Sequence, residues 1–226
     1  MFKWLLGDRA GLAQISRHFG QMIEDGRHIF DAAANTLLGG TEPAAVEADL
    51  FATDKRINLV EQKIRRELVV HMTVSARADF PVCLKLMSLV KDAERIGDYA
   101  KNIFALGKEA RDFLADPQAA ELVALKDRVS RMLAKMRNLY ESQDEAQARA
   151  FVDEAEQILK QCDDHVRRLI HDGAASRQPV VAALMYRYVK RVVAHCTNIV
   201  SSILMPIDKL DYFDESPGER VPEGLP

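Results

Sequence analysis

The sequence predicts an all-α protein: two tandem antiparallel three-helix bundles, six long helices in total. Three observations predict it. Apolar residues recur at alternating steps of three and four through long segments, the period of one helix face. Prolines and glycines cluster between those segments, at Gly39 to Pro43, Pro81, Asp116-Pro117, Gly173 to Pro179 and Pro206, where they break helices. Two of the segments repeat each other, with Glu94 to Ile103 lying over Lys190 to Ile199.

The first helix is expected from an N-cap at Asp8 through Leu12, Ile15, Phe19 and Met22 towards Leu37, since an aspartate before an apolar-periodic run is a good cap. The second, from about Pro43 to Met72, carries Leu50, Ile57, Val60, Ile64 and Leu68. The third shows the most regular seam: Leu86, Leu89, Ala93, Ile96, Ala100, Ile103, Gly107, Ala110 and Leu114, spaced as a heptad. The fourth uses Leu122, Leu125, Val129, Met132, Met136 and Leu139. The fifth uses Val152, Ala155, Leu159, Cys162, Val166 and Leu169, and the sixth Ala182, Met185, Val189, Val192, Cys196, Ile199 and Ile203. Helices of this size are about 45 Å long, and short connections make neighbours antiparallel. No strand-like alternation appears, so no sheet is expected.

The repeat divides the chain into residues 1–116, residues 117–208 and an acidic Pro/Gly tail, 209–226, expected to be flexible. The third and sixth helices match seam on seam, Arg95 over Arg191 and Asn102 over Asn198. The second and fifth match more weakly: Asp54 over Glu156, Glu61 over Asp163, Ile64 over Val166.

Composition narrows the function classes. The 226 residues are 48% hydrophobic and 29% charged, enough apolar material for a sizeable core. The formal net charge is −3, with mixed signs along the chain, unlike the basic footprint of a nucleic-acid binder. No apolar run reaches the roughly 18 residues of a membrane span. The opening MFKWLLGD is too short for a signal peptide, so a cytoplasmic protein is expected. Cys83, Cys162 and Cys196, widely spaced, read as reduced thiols. Phe2, Trp4, Leu5 and Leu6 form an apolar patch expected to pack on the bundle end, with a partner or membrane surface as the alternative.

Glu94 and Asp98 are four apart, so both carboxylates share one helix face, pointing outward from the seam. The second and third helices turn near residue 77, which sets Glu94 level with Glu61 and Asp98 level with Ile57. Asp54, Asn58, Glu61, Glu94 and Asp98 then stand at one height. Five hard oxygen-bearing side chains suit Mg, Ca, Mn or iron. The alternative is a solvated acidic face, ion-paired to Lys91, Lys101 or Arg65. Cys162 with His165, and His195 beside Cys196, are weaker metal candidates, since both cysteines occupy seam positions and read as buried thiols. His18, His28 and His71 show no partner pattern. No phosphate loop, nucleophile elbow, HExxH or ExxH pair appears, so no catalytic residues are assigned and no enzyme is expected.

The run Asp92-Ala93-Glu94-Arg95-Ile96-Gly97-Asp98-Tyr99-Ala100-Lys101-Asn102-Ile103 resembles the acidic E/D-x-x-x-D motif of the PhoU family, the phosphate-uptake regulators. Asp54 to Glu61 is similar to the "DxxINxLE" stretch that the family places on the neighbouring helix. The resemblance runs from roughly Phe19 to Asp208. It implies tandem three-helix bundles that hold multinuclear iron or zinc clusters on those acidic motifs. It implies a non-enzymatic regulator, often a homodimer, that restrains phosphate uptake and starvation signalling through contact with a phosphate transporter component and a sensor histidine kinase. The second repeat departs from the motif: Lys190 replaces the glutamate, Ala194 the aspartate, and Lys160 stands where Asn58 stands in the first. Any divalent or trivalent metal is therefore expected in the first repeat only. In the second, Glu156 and Asp163 have Arg187, Lys190 and Arg191 as ion-pair partners, which reads as a contact surface. The readings set beside a phosphate regulator are a protein whose purpose is the bound metal, and a helical scaffold without one.

Overall fold

The computed structural model describes residues 10–74, 79–171, 177–210 and 213. The proposed cap Asp8, the apolar patch at Phe2 to Leu6 and most of the expected tail lie outside them. Six long helices run α1 Ala10–Leu38, α2 Pro43–Val74, α3 Phe80–Glu109, α4 Ala119–Ser142, α5 Glu145–His171 and α6 Arg177–Ser201. No strand occurs among the described residues. None of these helices is long and apolar enough to cross a membrane.

The helix ends follow local chemistry. After α1, Gly40 adopts φ 71°, and the Gly39 and Thr41 amides both donate to Asn35 O at 3.0 Å, closing off the last-turn carbonyl as a left-handed cap does. Pro43 then opens α2, where its missing N–H costs nothing. The boundary between α4 and α5 has neither proline nor glycine. Gln143 takes φ 54° there, its amide bonds Leu139 O at 2.9 Å, and Asp144 Oδ1 accepts the Gln147 amide at 3.1 Å, capping α5.

Two expectations are corrected. The third helix ends at Glu109, and Arg111–Ala115 forms a 3-10 turn, so Leu114 is 44% exposed and not a seam residue. In α5 the seam swings by one position: Ile158 and His165 are buried while Leu159, Val166 and Leu169 are only half-buried. Both shifts follow from packing against α6 and the α3–α4 connection, which periodicity in a single helix does not contain. Glycines also lie inside helices, contrary to the clustering between them. Gly97 and Gly107 of α3 are buried, and mark close helix approach.

Each set of three helices packs on itself, and α3 against α6 and α1 against α4 join the sets. One continuous apolar cluster runs through both bundles, from Leu12, Phe19 and Phe30 to Met185, Val189 and Ile199. All three cysteines are buried and free, and burial pushes the Cys162 thiol up to about 12.

The joining helices are antiparallel. Asp92 of α3 pairs with His195 of α6 at 2.9 Å, and Tyr99 accepts from Arg191 Nε at 3.2 Å. Phe19 of α1 meets Tyr140 of α4 with ring centroids 4.8 Å apart, while Asn35 accepts from Lys126 at 3.1 Å. The α2–α3 and α5–α6 connections therefore lie at opposite ends of the molecule.

Where α3 begins, buried Lys85 donates to Ser202 O at 2.6 Å and Met205 O at 3.1 Å, a cation placed on the orphan carbonyls that follow α6. Burial lowers its pKa to about 8, against roughly 10.4 in an unfolded chain. Between those values the unfolded chain holds a proton that the folded chain has released, so stability rises with pH there. Urea midpoints of wild type and Lys85→Met at pH 7.5 and 9.5 test this. The wild type is expected to gain on the variant at the higher pH; a constant gap would refute the assignment.

Candidate functional site

The acidic stripes of α2 and α3 meet in the register expected. A Cβ placed on Gly97 would lie 3.4 Å from Ile57 Cδ1 and 3.7 Å from Asp54 Oδ1, so Asp54 and Ile57 stand beside the turn between Glu94 and Asp98. The absent side chain at Gly97 lets α2 approach this closely; Ile29 of α1 fills the third side, its Cδ1 3.2 Å from the same point.

The five residues separate into two kinds of contact. Asp54 and Asp98 flank Lys101, whose Nζ lies 2.9 Å from Asp54 Oδ1 and 3.0 Å from Asp98 Oδ1. Asn58 donates to the other oxygen of Asp54 at 3.5 Å. Arg95 reaches Asp98 Oδ2 at 3.3 Å. Glu61 and Glu94 pair within their own helices, Glu61 with Arg65 at 2.9 Å and Glu94 with Lys91 at 2.6 Å. Glu94 and Glu61 are also buried, at 9% and 6% exposure. This corrects the outward, solvated placement of Glu94.

A cation already stands between the two helices, and it is the ammonium of Lys101. Burial works against its charge, but the hydrogen bonds it donates to Asp54 and Asp98, together with their negative charges, outweigh burial and hold its pKa above the ordinary lysine value. Among the described residues no three His, Cys, Asp or Glu side chains converge as a metal ion requires. In this arrangement the acids offer their oxygens to lysines and arginines, so the residue set as placed does not fit an iron or zinc cluster.

The counterpart face of the second repeat is an ion-pair surface. Lys190 donates to both oxygens of Asp163 at 2.7 and 2.6 Å, and Arg187 approaches Asp163 at 3.9 Å. Arg191 does not join them. It turns to the first bundle and lies 5.9 Å from the Tyr99 ring centre. Such exposed pairs stabilise by about 0 to 1 kcal/mol each, so they shape a surface more than they hold the fold.

Five histidines turn out to be partnered with acids, a pattern invisible in the sequence because the partners come from other helices or turns. His18 faces Glu67 at 3.0 Å, His28 faces Asp49 at 2.5 Å and His71 faces Asp79 at 2.9 Å. His165 meets Glu121 at 2.7 Å, and stacks on Tyr186 at 4.4 Å. His195 meets Asp92. Burial, partly offset by Glu121, lowers the pKa of His165. Another contact missed is Asp25, 4% exposed, which takes a two-point hydrogen bond from Arg56 at 2.8 and 2.9 Å. Nothing in the sequence of α1 marks Asp25, because its partner Arg56 lies on α2.

Comparison with known proteins shows what the chain is similar to. The PhoU domain model matches residues 19–106, which hold most of α1, all of α2 and nearly all of α3. A phosphate-specific transport system accessory protein PhoU homolog from Synechocystis sp. is 26% identical over 163 residues, covering 66% of this chain and 69% of that protein. The crystal structure of PhoU from Pseudomonas aeruginosa superposes with a TM-score of 0.74 at 19% identity, covering 89% of this chain and 97% of that one. The phosphate transport system regulatory protein PhoU from Streptococcus pneumoniae gives a TM-score of 0.62 at 15% identity, over 92% and 99% of the two chains. At these identities the solved structures establish the shared fold.

Proposed function

We propose that this chain is a PhoU-family protein that regulates phosphate transport and phosphate-starvation signalling through protein–protein contact. The observation that carries the reading is the PhoU domain over residues 19–106, supported by the accessory role in the name of the Synechocystis relative. The partners are a phosphate transporter component and a sensor histidine kinase, met in the cytoplasm by a homodimer. The contact face is the α2–α3 surface around Asp54, Asp98 and Lys101, where charges are paired but still reachable: the Lys101 side chain is 28% exposed and that of Asp98 29%. Pairs of this kind steer and select a partner more than they add affinity.

Affinity capture from cross-linked, phosphate-replete cells tests this. Wild type should recover a transporter or kinase component, and an Asp54→Lys, Asp98→Lys double variant should recover much less. Recovery of neither component by the wild type would sink the proposal. A protein whose purpose is the bound cation predicts stoichiometric metal in chain purified without chelator, lost in Glu94→Ala, Asp98→Ala. The Lys101 ammonium between Asp54 and Asp98 speaks against it.

A further inference from the structure

A helix with apolar residues on opposite sides is ordinarily covered on both; α2 has them on both sides and is covered on one. Its buried seam, Leu50, Thr53, Ile57, Ile64 and Leu68, packs on α1 and α3. On the other side stand Phe51, Lys55, Leu59, Arg66, Val69 and Val70, all exposed. At about 100° per residue these six fall within an arc of about 100° that is centred opposite the seam, so they share one face. The four apolar side chains are 48% to 61% exposed. Phe51 is braced edge-on against Phe104, with ring centroids 6.1 Å apart. Ala48 and Ala52 lie on the same arc, where their small side chains let a neighbour come close.

The charges on this face select its occupant. The arc holds the cations Lys55 and Arg66 and no acid. The acids on its flanks are committed to other partners: Glu47 to Lys108 at 2.7 Å, Asp49 to His28 at 2.5 Å, Asp54 to Lys101 at 2.9 Å and Glu67 to His18 at 3.0 Å. Lys55 and Arg66 pair with no carboxylate among the described residues. They stand three turns, or about 16 Å, apart along the helix. A second copy in a two-fold contact would lay this face on itself, with cations and no acid on either side. An anionic lipid surface is drawn by clusters of about four to eight basic residues, and a ridge with two cations between acidic flanks is no such cluster. A helix with an apolar stripe and carboxylates three turns apart matches both features, stripe on stripe and an acid for each cation. We propose that the outward face of α2 docks an acidic amphipathic helix of a partner protein. This face is centred about 110° round α2 from Asp54, so it is a second contact surface, separate from the one around Lys101 and independent of the phosphate reading.

The probe is a fluorescein-labelled synthetic amphipathic peptide with a leucine seam and two glutamates three turns apart; its twin carries lysines in their place. Anisotropy with the full chain should show the glutamate peptide bound roughly tenfold tighter than the lysine peptide. Lys55→Glu with Arg66→Glu should invert that preference, and Leu59→Asp should weaken the glutamate peptide's binding severalfold. All three positions are exposed, so the helical circular dichroism should match wild type. If the double reversal loses helicity, Lys55→Gln with Arg66→Gln should abolish the preference in its place. Equal affinity for the two peptides overturns the proposal, as does no binding, or a preference that survives the double reversal. Self-association that Leu59→Asp abolishes would give the face to a second copy. Binding to phosphatidylglycerol vesicles, lost in the double reversal, with no binding of the glutamate peptide would give it to a lipid surface. Either result overturns the docked helix. None of these readouts involves a phosphate component, so this face and the α2–α3 contact stand or fall separately.

Discussion

Gly107→Ala should destabilise the protein by about 2 kcal/mol or more, even though alanine is the better helix former. In an exposed helix the exchange would gain about 1 kcal/mol. Here α3 crosses α1 at contact distance. The new Cβ would stand 2.0 Å from Thr36 Oγ1, 3.0 Å from Thr36 Cβ and 3.1 Å from the Leu37 amide nitrogen. Thr36 is 4% exposed, and its hydroxyl donates to Ala33 O at 2.7 Å, so turning it aside loses a buried hydrogen bond. Turning it also leaves the Cβ and backbone overlaps in place, so the two helices must part. Overpacking of this kind costs about 1 to 3 kcal/mol, occasionally more, and the loosened crossing adds to it. For a chain of this length about 2 kcal/mol lowers the melting temperature by about 4 to 8 °C. Gly97→Ala is the matched comparison. Its nearest neighbours are the movable tips of Ile29, at 3.2 Å, and Ile57, at 3.4 Å, so its effect should stay within about 1 kcal/mol. Thermal melts of both variants check the pair; a Gly107→Ala melting temperature at or above wild type would contradict the packing argument.

Asp92→Ala should cost about 2 to 3 kcal/mol, at the junction of the two bundles. Asp92 Oδ1 accepts from Asn198 Nδ2 at 3.1 Å and pairs with His195 Nδ1 at 2.9 Å. The Asp92 and His195 side chains are 13% and 18% exposed. Alanine removes the shared acceptor and strands polar groups of α6 against α3, where water reaches poorly, and a stranded donor costs about 1 to 3 kcal/mol. Because one apolar cluster runs through both bundles, the urea transition should move to lower concentration yet remain single. A second transition would mean that the bundles fold independently, and an unmoved midpoint would mean that water replaces Asp92 at no cost.

Much of the architecture was legible because it rests on local rules. Steps of three and four declare a helix wherever they persist, so all six appeared, with ends within a few residues. The register of α2 against α3 was legible too. A short connection near residue 77 fixes heights by counting, and Asp54, Ile57 and Gly97 meet accordingly. The difference between the repeats was written in residue type, since Lys190 cannot act as the glutamate it replaces, and it pairs with Asp163. What counting cannot supply is the direction in which a long flexible side chain turns. Lys101 was named only as one salt-bridge partner among three, yet it bridges the helices between Asp54 and Asp98.

The sequence by itself determined the helices, the repeat and the set of acids on one face, because helical period and chain connectivity are properties of near neighbours. Tertiary structure alone decided three things. It ran α3 and α6 antiparallel, bringing Lys85 to Ser202, Asp92 to His195 and Tyr99 to Arg191. It buried Glu61 and Glu94, which their charge would keep in water. It also filled the acidic site with an ammonium from the protein itself. Each depends on the free energy of contacts between residues far apart in the chain, where burial, charge and available space are set jointly by several helices and by no one of them.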